Sequence, residues 1–176
     1  IIYFGVESAN QRILDYYKKG TTPDESRSAV RKARKAGVDI IVGSVIVGAP
    51  DETRREVENT LKFALELDID VPQLNILGAF TGTDLWSDLV AKGFINEDRL
   101  WERGTYVPKI SPYAVPFEEI RHMIYDYFRA FYLRPRLLMT EVLRTMKSPY
   151  RVGGFINNMV RLNRIIDTVR QGVLLD

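Results

Sequence analysis

Three strand-then-helix units follow one another at the start of this chain, and each strand ends in a turn with a distinctive sequence. The turns are Gly-Val-Glu-Ser at residues 5–8, Gly-Ala-Pro-Asp-Glu-Thr at residues 48–53 and Thr-Gly-Thr at residues 81–83. Strands that alternate with helices predict a parallel sheet with right-handed crossovers. In such folds the loops after the strands open on the same side, so functional residues gather there.

Three such units cannot close a barrel. The sequence therefore predicts an α/β fold that is either a small open sheet or part of a larger (β/α) barrel. Strands are predicted at residues 1–6, 38–47 and 74–79. The first helix extends to about Lys19, with Gly20 as its stop. Helix N-caps are predicted at Ser8, Thr22, Thr53 and Thr83, and the second and third of these form capping boxes with Glu25 and Glu56.

The alternation of strands and helices stops after residue 94. The next segment is irregular and is punctuated by glycine and proline. Residues after 116 hold ten Lys and Arg and six Asp and Glu, so this part is net positive whereas the front is net negative. We therefore predict a barrel-like part at residues 1–94, and a linker with a helical C-terminal region at residues 95–176. The helices of that region are predicted at residues 117–133, 135–146 and 154–171.

Composition excludes several kinds of site. The chain has 176 residues, a net charge of +2 and no cysteine. Disulfides, thiolate nucleophiles and cysteine-bound zinc or iron–sulfur sites are therefore excluded within these residues. The small net charge gives no reason to expect a nucleic-acid partner. No apolar run is long enough to span a bilayer and no signal-peptide pattern opens the chain, so we predict a cytoplasmic protein. The apolar start reads as the middle of a strand, which predicts a missing upstream part.

The three turns, taken in order over about half the chain, resemble those of the second half of a radical S-adenosylmethionine (radical SAM) domain. The branch that they resemble includes methylthiotransferases, coproporphyrinogen dehydrogenases and cobalamin-dependent radical enzymes. As in that branch, the first turn is followed by Gln-Arg-Ile-Leu at residues 11–14 and Lys-Lys-Gly at residues 18–20. The second turn resembles a Gly-x-Pro-Gly-Glu-Thr turn, and the third resembles a Pro-Gly-Thr turn.

The resemblance implies a six-stranded partial (β/α) barrel, of which this chain would hold the last three strands. It implies S-adenosylmethionine and a four-iron–four-sulfur (4Fe-4S) cluster as cofactors, and in some relatives cobalamin in an upstream domain. The family's three-cysteine motif follows the first strand and is absent here, so the cluster ligands would lie outside this chain and the chain alone would be inactive. In the intact enzyme, a 5′-deoxyadenosyl radical would abstract hydrogen from a small-molecule substrate.

The partners implied are that substrate and the upstream half of the same protein, with no nucleic acid. Two other functions are weighed against this one. The lack of cysteine fits a cluster-free α/β module that binds a nucleotide or a partner. A hydrolase built on barrel-like units is the other alternative, but the sequence has no acid–base or metal constellation that supports it.

Two charged residues after the first strand are implied to bind the cofactor. The resemblance places Glu7 at the ribose and Lys19 at the methionine carboxylate, with Lys18 as the alternative if the register slips. A carboxylate can accept hydrogen bonds from two hydroxyls, and lysine suits a single anionic contact. The structural alternatives are that Glu7 caps the following helix and that Lys19 is a solvated lysine favoured by the helix dipole.

The other implied contacts come from the second and third strands. The resemblance places Ser44 toward the ribose and Ile46 against the adenine. The resemblance implies that Asn75 and the edge at Leu77 and Gly78 would close the adenine side. Ordinary strand packing is the alternative for Ser44 and Ile46, and a satisfied core amide is the alternative for Asn75. No catalytic residue and no metal ligand is assigned within the chain.

Further polar features receive structural interpretations. The Gly82–Thr83 turn lacks phosphate-loop spacing and is predicted to cap a helix. His122, the only histidine, lies in an aromatic helix without metal-ligand spacing. Arginines of the C-terminal helices form either a basic surface for an anionic partner or membrane, or the charged side of packed helices, and we favour the second. These arginines are Arg129, Arg134, Arg136, Arg144 and Arg151.

Overall fold

A computed structural model describes residues 1–96, 106–107 and 114–146, and these contain five strands and six helices. The strands are β1 Ile2–Glu7, β2 Ile41–Val47, β3 Val71–Ile76, β4 Ala79–Phe80 and β5 Tyr106–Val107. The helices are α1 Gln11–Tyr16, α2 Pro23–Lys35, α3 Arg54–Glu66, α4 Asp84–Ala91, α5 Phe117–Tyr132 and α6 Pro135–Met146. The α/β class and the strand–helix alternation that the sequence predicts are confirmed.

Strands β1, β2 and β3 form a parallel sheet with β2 in the centre. The pairing places Gly5 opposite Ser44, and Ile46 opposite Asn75. Paired residues of neighbouring strands project to the same face, and successive residues alternate between faces. The register therefore assigns Ser44, Ile46 and Asn75 to one face of the sheet, together with the position of Gly5. Glu7 is paired with Val45, after a register shift between Gly5 and Glu7.

The two faces of this sheet differ in burial. Ile41, Val45 and Val47 are at most 1% exposed, and α2 and α3, which contact β1 and β2, bury their apolar sides. The opposite face is open among the described residues, with Tyr3 72% exposed and Val71 42% exposed. The open face carries the residues for which binding is predicted.

The predicted helix starts are confirmed for α2, α3 and α4. In both capping boxes the threonine side chain accepts from the glutamate N–H, and the glutamate carboxylate accepts from the threonine N–H. The Thr83 side chain accepts from the Trp86 N–H, as expected of a cap. Helices α5 and α6 match two of the predicted C-terminal helices to within a residue, while the one predicted at residues 154–171 lies outside the described residues.

Helix α1 starts later than predicted. It begins at Gln11, and Asn10 occupies the cap position without a side-chain cap bond. Ser8 does not cap it because the Ser8 hydroxyl bonds the Thr60 hydroxyl at 3.0 Å and accepts from the Asn10 N–H at 3.1 Å. Ser8 and Thr60 are both fully buried, so this polar contact fixes the end of β1 against α3.

Helix α1 also ends earlier than predicted, at Tyr16 instead of near Lys19. Lys18 adopts a left-handed backbone conformation with φ of 53°. The Lys19 N–H then bonds back to the Leu14 carbonyl at 3.0 Å. This is a Schellman arrangement in which lysine occupies the position where glycine is usual.

The second and third strands have different limits from those predicted. Strand β2 begins at Ile41 and not at residue 38, because the Arg34 guanidinium holds the Val38 and Asp39 carbonyls at 3.1 and 3.2 Å in a turn. Strand β3 begins earlier and ends at Ile76. Beyond it, β4 leaves the sheet and pairs antiparallel with β5.

The chain forms two compact units, one from Ile1 to Ile124 and one that begins at Tyr125. The limit that the sequence predicts for the barrel-like part, residue 94, stays a prediction. No helix of the described residues is long and apolar enough to cross a membrane.

A bidentate ion pair ties α1 to α3 in the first unit. Arg12 donates to Glu56 Oε1 at 2.9 Å and to Oε2 at 2.7 Å. Arg12 also donates to the Asp51 carbonyl at 2.8 Å. These hydrogen bonds are the main reason why the pKa of Glu56 is lowered from 4.5 to about 2. The pair thus holds the turn after β2 as well as the start of α3.

Replacing Glu56 with glutamine should weaken the acid dependence of stability. A lowered folded-state pKa stabilises the fold fully above about pH 4.5, and this stabilisation is lost as the pH falls toward 2. Glutamine keeps the capping box but has no charge. The free energy of unfolding, measured by urea titration across this range, should therefore fall less steeply in Glu56→Gln.

The matched control is Glu58→Gln, which removes a carboxylate from the same helix where the side chain is 53% exposed. Glu58→Gln should keep the wild-type slope. A wild-type slope in Glu56→Gln as well would show that the pair with Arg12 does not contribute to acid stability.

Candidate functional site

Glu7 and Lys19 meet at the C-terminal end of β1. The Lys19 ammonium donates to Glu7 Oε1 at 3.2 Å. The Glu7 side chain is 15% exposed and that of Lys19 33%. The second carboxylate oxygen, Glu7 Oε2, is buried and has no hydrogen-bond partner among the described residues. Since an ionised carboxylate accepts several hydrogen bonds, this pair retains unused acceptor capacity.

The backbone of Glu7 is held in an unusual conformation. Its φ is 61°, which costs a residue with a Cβ roughly 1–2 kcal/mol. The pairing of β1 with β2 shifts register between Gly5 and Glu7, as at a β-bulge, and such a shift re-aims a side chain. The described contacts of Glu7 run to Lys19 and not to the N–H groups of α1, so the geometry does not support a capping role.

The Glu7–Lys19 pair lies directly over Gly5. A Cβ built on Gly5 would come within 2.7 Å of Lys19 Nζ and would also collide with Glu7 Oε1. Glycine therefore lets the two charged groups lie against the strand. Because Gly5 is paired with Ser44, the ion pair and Ser44 project from the same open face of the sheet.

Ser44 and Asn75 form a polar contact between β2 and β3 on this face. The Asn75 side-chain amide donates to the Ser44 hydroxyl at 3.3 Å. Asn75 is exposed, so it is not the buried core amide that was the alternative. Ile46, paired with Asn75, lies next to this contact and is only partly buried.

An open pocket of about 540 Å³ lies where β2 and β3 end. Four residues for which adenine contacts are implied line the same pocket, one from β2 and three from residues 75–78. A mostly apolar pocket with a few polar groups suits a flat heteroaromatic ring. The lining residues are Ile46, Asn75, Ile76, Leu77, Gly78, Phe80, Thr83 and Leu85.

A buried carboxylate fixes the turn beside this pocket. Glu52 is 1% exposed, and its Oε2 accepts from the Gly48 N–H at 2.6 Å and from the Ala49 N–H at 3.1 Å. Burial raises the pKa of Glu52, while the two backbone hydrogen bonds oppose that shift. Gly48 has a φ of 87°, in the left-handed region that favours glycine. Glycine adopts this conformation without strain, and the Glu52 carboxylate holds the turn in it.

Other sequence-predicted positions lie apart from the Glu7–Lys19 pair. Lys18 is 83% exposed and faces Asp84 at 3.5 Å. His122 is exposed, with its Nδ1 2.7 Å from the Glu118 carbonyl. The described part of the chain contains no group of three His, Cys, Asp or Glu residues that could hold a metal ion. Thr83 caps α4, as predicted.

The structure describes only some of the arginines of the C-terminal helices. Arg129 is exposed, and the Arg134 guanidinium stacks over the Phe131 ring at 3.7 Å. The side chains of Arg136 and Arg144 and the whole of Arg151 lie outside the described residues.

Sequence reasoning missed the roles of Glu52 and Arg12. Both lie within motifs that carry the resemblance, yet neither was given a function. A signal for Glu52 was available, because a carboxylate four residues after a glycine at a strand end can bend back onto the turn's N–H groups. Arg12 had no comparable local signal, since its partner Glu56 is 44 residues away.

Removing the Glu52 carboxylate should destabilise the protein. Glu52→Ala leaves the buried N–H groups of Gly48 and Ala49 without their acceptor, at about 1–3 kcal/mol for each donor. Glu52→Gln keeps one acceptor oxygen and removes a charge whose burial is unfavourable, so it should cost less. Urea unfolding of both variants measures the difference. Equal loss in the two variants would mean that the charge, and not the acceptor, fixes the turn.

Comparison with known proteins gives a consistent set of matches. Residues 1–64 match the sequence model of the Radical SAM superfamily. An uncharacterized methyltransferase of Pyrococcus horikoshii is 40% identical over 141 residues, which are 80% of this chain and 30% of the relative. The tRNA-2-methylthio-N(6)-dimethylallyladenosine synthase of Photorhabdus laumondii is 36% identical over 83 residues, which are 47% of this chain and 17% of the relative. The Vibrio cholerae protein of the same name is 34% identical over 105 residues, which are 57% of this chain and 22% of the relative.

The chain spans less than a third of the length of each of these relatives. The segment matched by the family model runs from β1 into α3, so it contains the Glu7–Lys19 pair, Ser44 and the turn held by Glu52. The family that the three turns predict is thus the one that the comparison finds, and residues 1–64 of this chain belong to the radical SAM superfamily.

Proposed function

We propose that this chain supplies the S-adenosylmethionine-binding rim, and part of the substrate pocket, of a radical SAM enzyme that abstracts hydrogen from a small-molecule substrate. The observation that carries the proposal is the Glu7–Lys19 pair, set over Gly5 on the open face of the sheet with one buried carboxylate oxygen unpartnered. A partly buried charge pair that includes a residue with a strained backbone is typical of a binding site.

The residues present fit S-adenosylmethionine. Glu7 Oε2 has no hydrogen-bond partner among the described residues. Because this oxygen is buried, the Glu7 side chain has to turn outward to present it to a ribose hydroxyl. The Lys19 ammonium is a third exposed, so it can turn from Glu7 toward the methionine carboxylate. Ser44 offers a hydroxyl on the same face. In this assignment, ligand binding breaks the ion pair between Glu7 and Lys19. Glu7 then contacts the ribose, and Lys19 contacts the methionine carboxylate.

The adenine is assigned to the pocket at the ends of β2 and β3. Ile46 and Leu77 supply apolar surface there, and Gly78 also lines the pocket. The exocyclic and ring nitrogens of adenine would form hydrogen bonds with backbone groups at the ends of β2 and β3, because few polar side chains line this pocket. The turn that Glu52 holds keeps the end of β2 in place beside this ring.

The residues present do not fit a 4Fe-4S cluster, because such clusters are held by cysteine thiolates and this chain has none. We therefore assign the cluster ligands to a segment outside this chain and expect the chain alone to be inactive. A cobalamin domain upstream stays a prediction. S-adenosylmethionine supplies the reactive group in this class of enzyme, and the residues described here bind and orient it.

Group transfer is the reaction class that the relatives favour. One relative is named as an uncharacterized methyltransferase and two as tRNA-2-methylthio-N(6)-dimethylallyladenosine synthases. The small-molecule substrate, the upstream half of the protein as partner and the cytoplasmic location remain part of the proposal. The second candidate is a cluster-free module that binds a nucleotide, which the absence of cysteine favours.

Glu7→Asn should separate binding from folding. Asparagine tolerates a positive φ better than glutamate, so stability should be kept or rise slightly. The loss of the anionic acceptor should weaken S-adenosylmethionine binding about tenfold or more, which is about 1.4 kcal/mol. Calorimetry on the full-length protein, with its cluster reconstituted under anaerobic conditions, measures the affinity.

The control is Glu58→Asn, an exposed carboxylate on α3 whose loss should leave binding unchanged. Wild-type affinity in Glu7→Asn would remove Glu7 from the site. No binding by the cluster-containing wild type would overturn the proposal. Binding of adenosine by the cluster-free protein would then favour the nucleotide-binding module.

Gly5→Ala should also weaken binding. The new Cβ displaces the ends of the Glu7 and Lys19 side chains, which are flexible, so the fold should persist while the site is distorted. We expect roughly a tenfold loss of affinity in the same assay. Gly43→Ala is the matched control, because its Cβ would meet Ile69 at 2.9 Å in the core. That variant should lower the melting temperature more than the affinity. The reverse ranking would contradict the assignment.

A further inference from the structure

Residues 79–95 have a small hydrophobic core of their own, and we call them the α4 segment. They comprise β4, α4 and the residues that follow α4 as far as Ile95. The buried members of this core all come from the segment itself, and two partly buried side chains pack against them. The core consists of Ala79, Trp86, Leu89 and Ile95, with Leu85 and Val90 beside it. A part of a protein that is packed mainly within itself can open without the rest unfolding.

The attachments of α4 are weak. Gly82 and Gly93 flank the helix with φ of 85° and 74°, and a Cβ on either would meet no atom within 4 Å. Backbone conformation, and not lack of space, therefore favours glycine at both ends. Lys18 Nζ lies 3.5 Å from Asp84 Oδ2, but these side chains are 83% and 99% exposed. Salt bridges with such exposure contribute little to stability.

The α4 segment forms part of the pocket at the ends of β2 and β3. Phe80, Thr83 and Leu85 of the segment line this pocket, and its other lining residues come from β2, β3 and the two positions after β3. Leu85 also packs against the core of the segment. The pocket thus lies where two separately packed parts of the first unit meet.

We propose that the α4 segment is a lid that opens as a unit and closes on the ligand bound at the ends of β2 and β3. This inference rests on the proposed function, because the ligand meant is S-adenosylmethionine. A ring in the pocket would contact the segment and the strands together, so binding stabilises the closed position and depletes the open one. Closure of a lid also keeps water away from a bound cofactor.

Amide hydrogen exchange tests this proposal on the full-length, cluster-containing protein, followed by mass spectrometry under anaerobic conditions. Without ligand, residues 86–91 should exchange faster than α3, because the segment opens separately. S-adenosylmethionine at about one hundred times its dissociation constant should slow this exchange up to about a hundredfold, since it depletes the open state. Residues 88–91 do not line the pocket, so slower exchange there reports closure of the whole segment and not direct contact with the ligand.

Leu89→Ala tests the core of the lid. Leu89 is 1% exposed and lies outside the pocket lining. Its truncation should speed exchange at residues 86–91 at least about tenfold, because the closed position loses buried apolar contacts. Exchange in α3 should stay near the wild-type rate. The matched control is Leu61→Ala, a 6% exposed leucine of α3, which should lower the melting temperature and speed exchange in α3 but not at residues 86–91.

Three results would overturn the lid. The first is exchange at residues 86–91 that is as slow as that of α3 in the ligand-free wild type. The second is bound S-adenosylmethionine, measured by calorimetry, that slows exchange at residues 83–85 alone. The third is a Leu89→Ala variant that speeds exchange equally in α3 and α4. Absence of binding in the calorimeter would instead overturn the proposed function, and the closure on this ligand with it.

Discussion

Parallel pairing of β2 with both of its neighbours determines where the candidate residues of this protein lie. The register sets Gly5 opposite Ser44 and Ile46 opposite Asn75, which places these positions on one face. Glu7 reaches that face through the register shift after Gly5, because the pairing itself sets it opposite Val45. The opposite face is occupied by the core, which α2 and α3 cover. A slip of one residue in either pairing would turn the polar groups into that core, where their desolvation is costly. The apolar residues of β2 thus secure the position of the polar ones.

Two carboxylates at neighbouring strand ends are compensated in different ways. Each of them keeps one buried oxygen, Glu7 Oε2 and Glu52 Oε1, without a hydrogen-bond partner among the described residues. Glu7 is balanced by a cation on a flexible side chain. Glu52 is held by two backbone N–H groups, and its release would leave both of them unsatisfied in the interior. The first carboxylate can therefore change partners at small cost, whereas the second cannot. This difference suits Glu7 to a ligand and Glu52 to the support of the turn beside it.

Local sequence signals predicted those parts of the fold that depend on neighbouring residues. The capping boxes, the strand–helix order and the turn before α4 are all decided within a few positions of the chain. The limits of α1 were wrong because they depend on contact between Ser8 and Thr60, and on a left-handed Lys18 that no residue preference indicates. The start of β2 depends on the hydrogen bonds that Arg34 donates to the Val38 and Asp39 carbonyls. The motif resemblance implied that Glu7 and Lys19 contact the same cofactor. That the two side chains pair with each other could be seen only in the three-dimensional structure.

The position of the Lys19 amino group depends on where α1 ends. Each residue added to an α-helix rotates the next side chain by roughly 100° and advances it by about 1.5 Å. One more helical residue after Tyr16 would therefore carry the ammonium away from Glu7 without any change in its chemistry. The left-handed Lys18 acts as a fixed stop that sets this angle. Ligand affinity in such a protein can change in evolution by a shift of helix end alone, with every contacting side chain conserved.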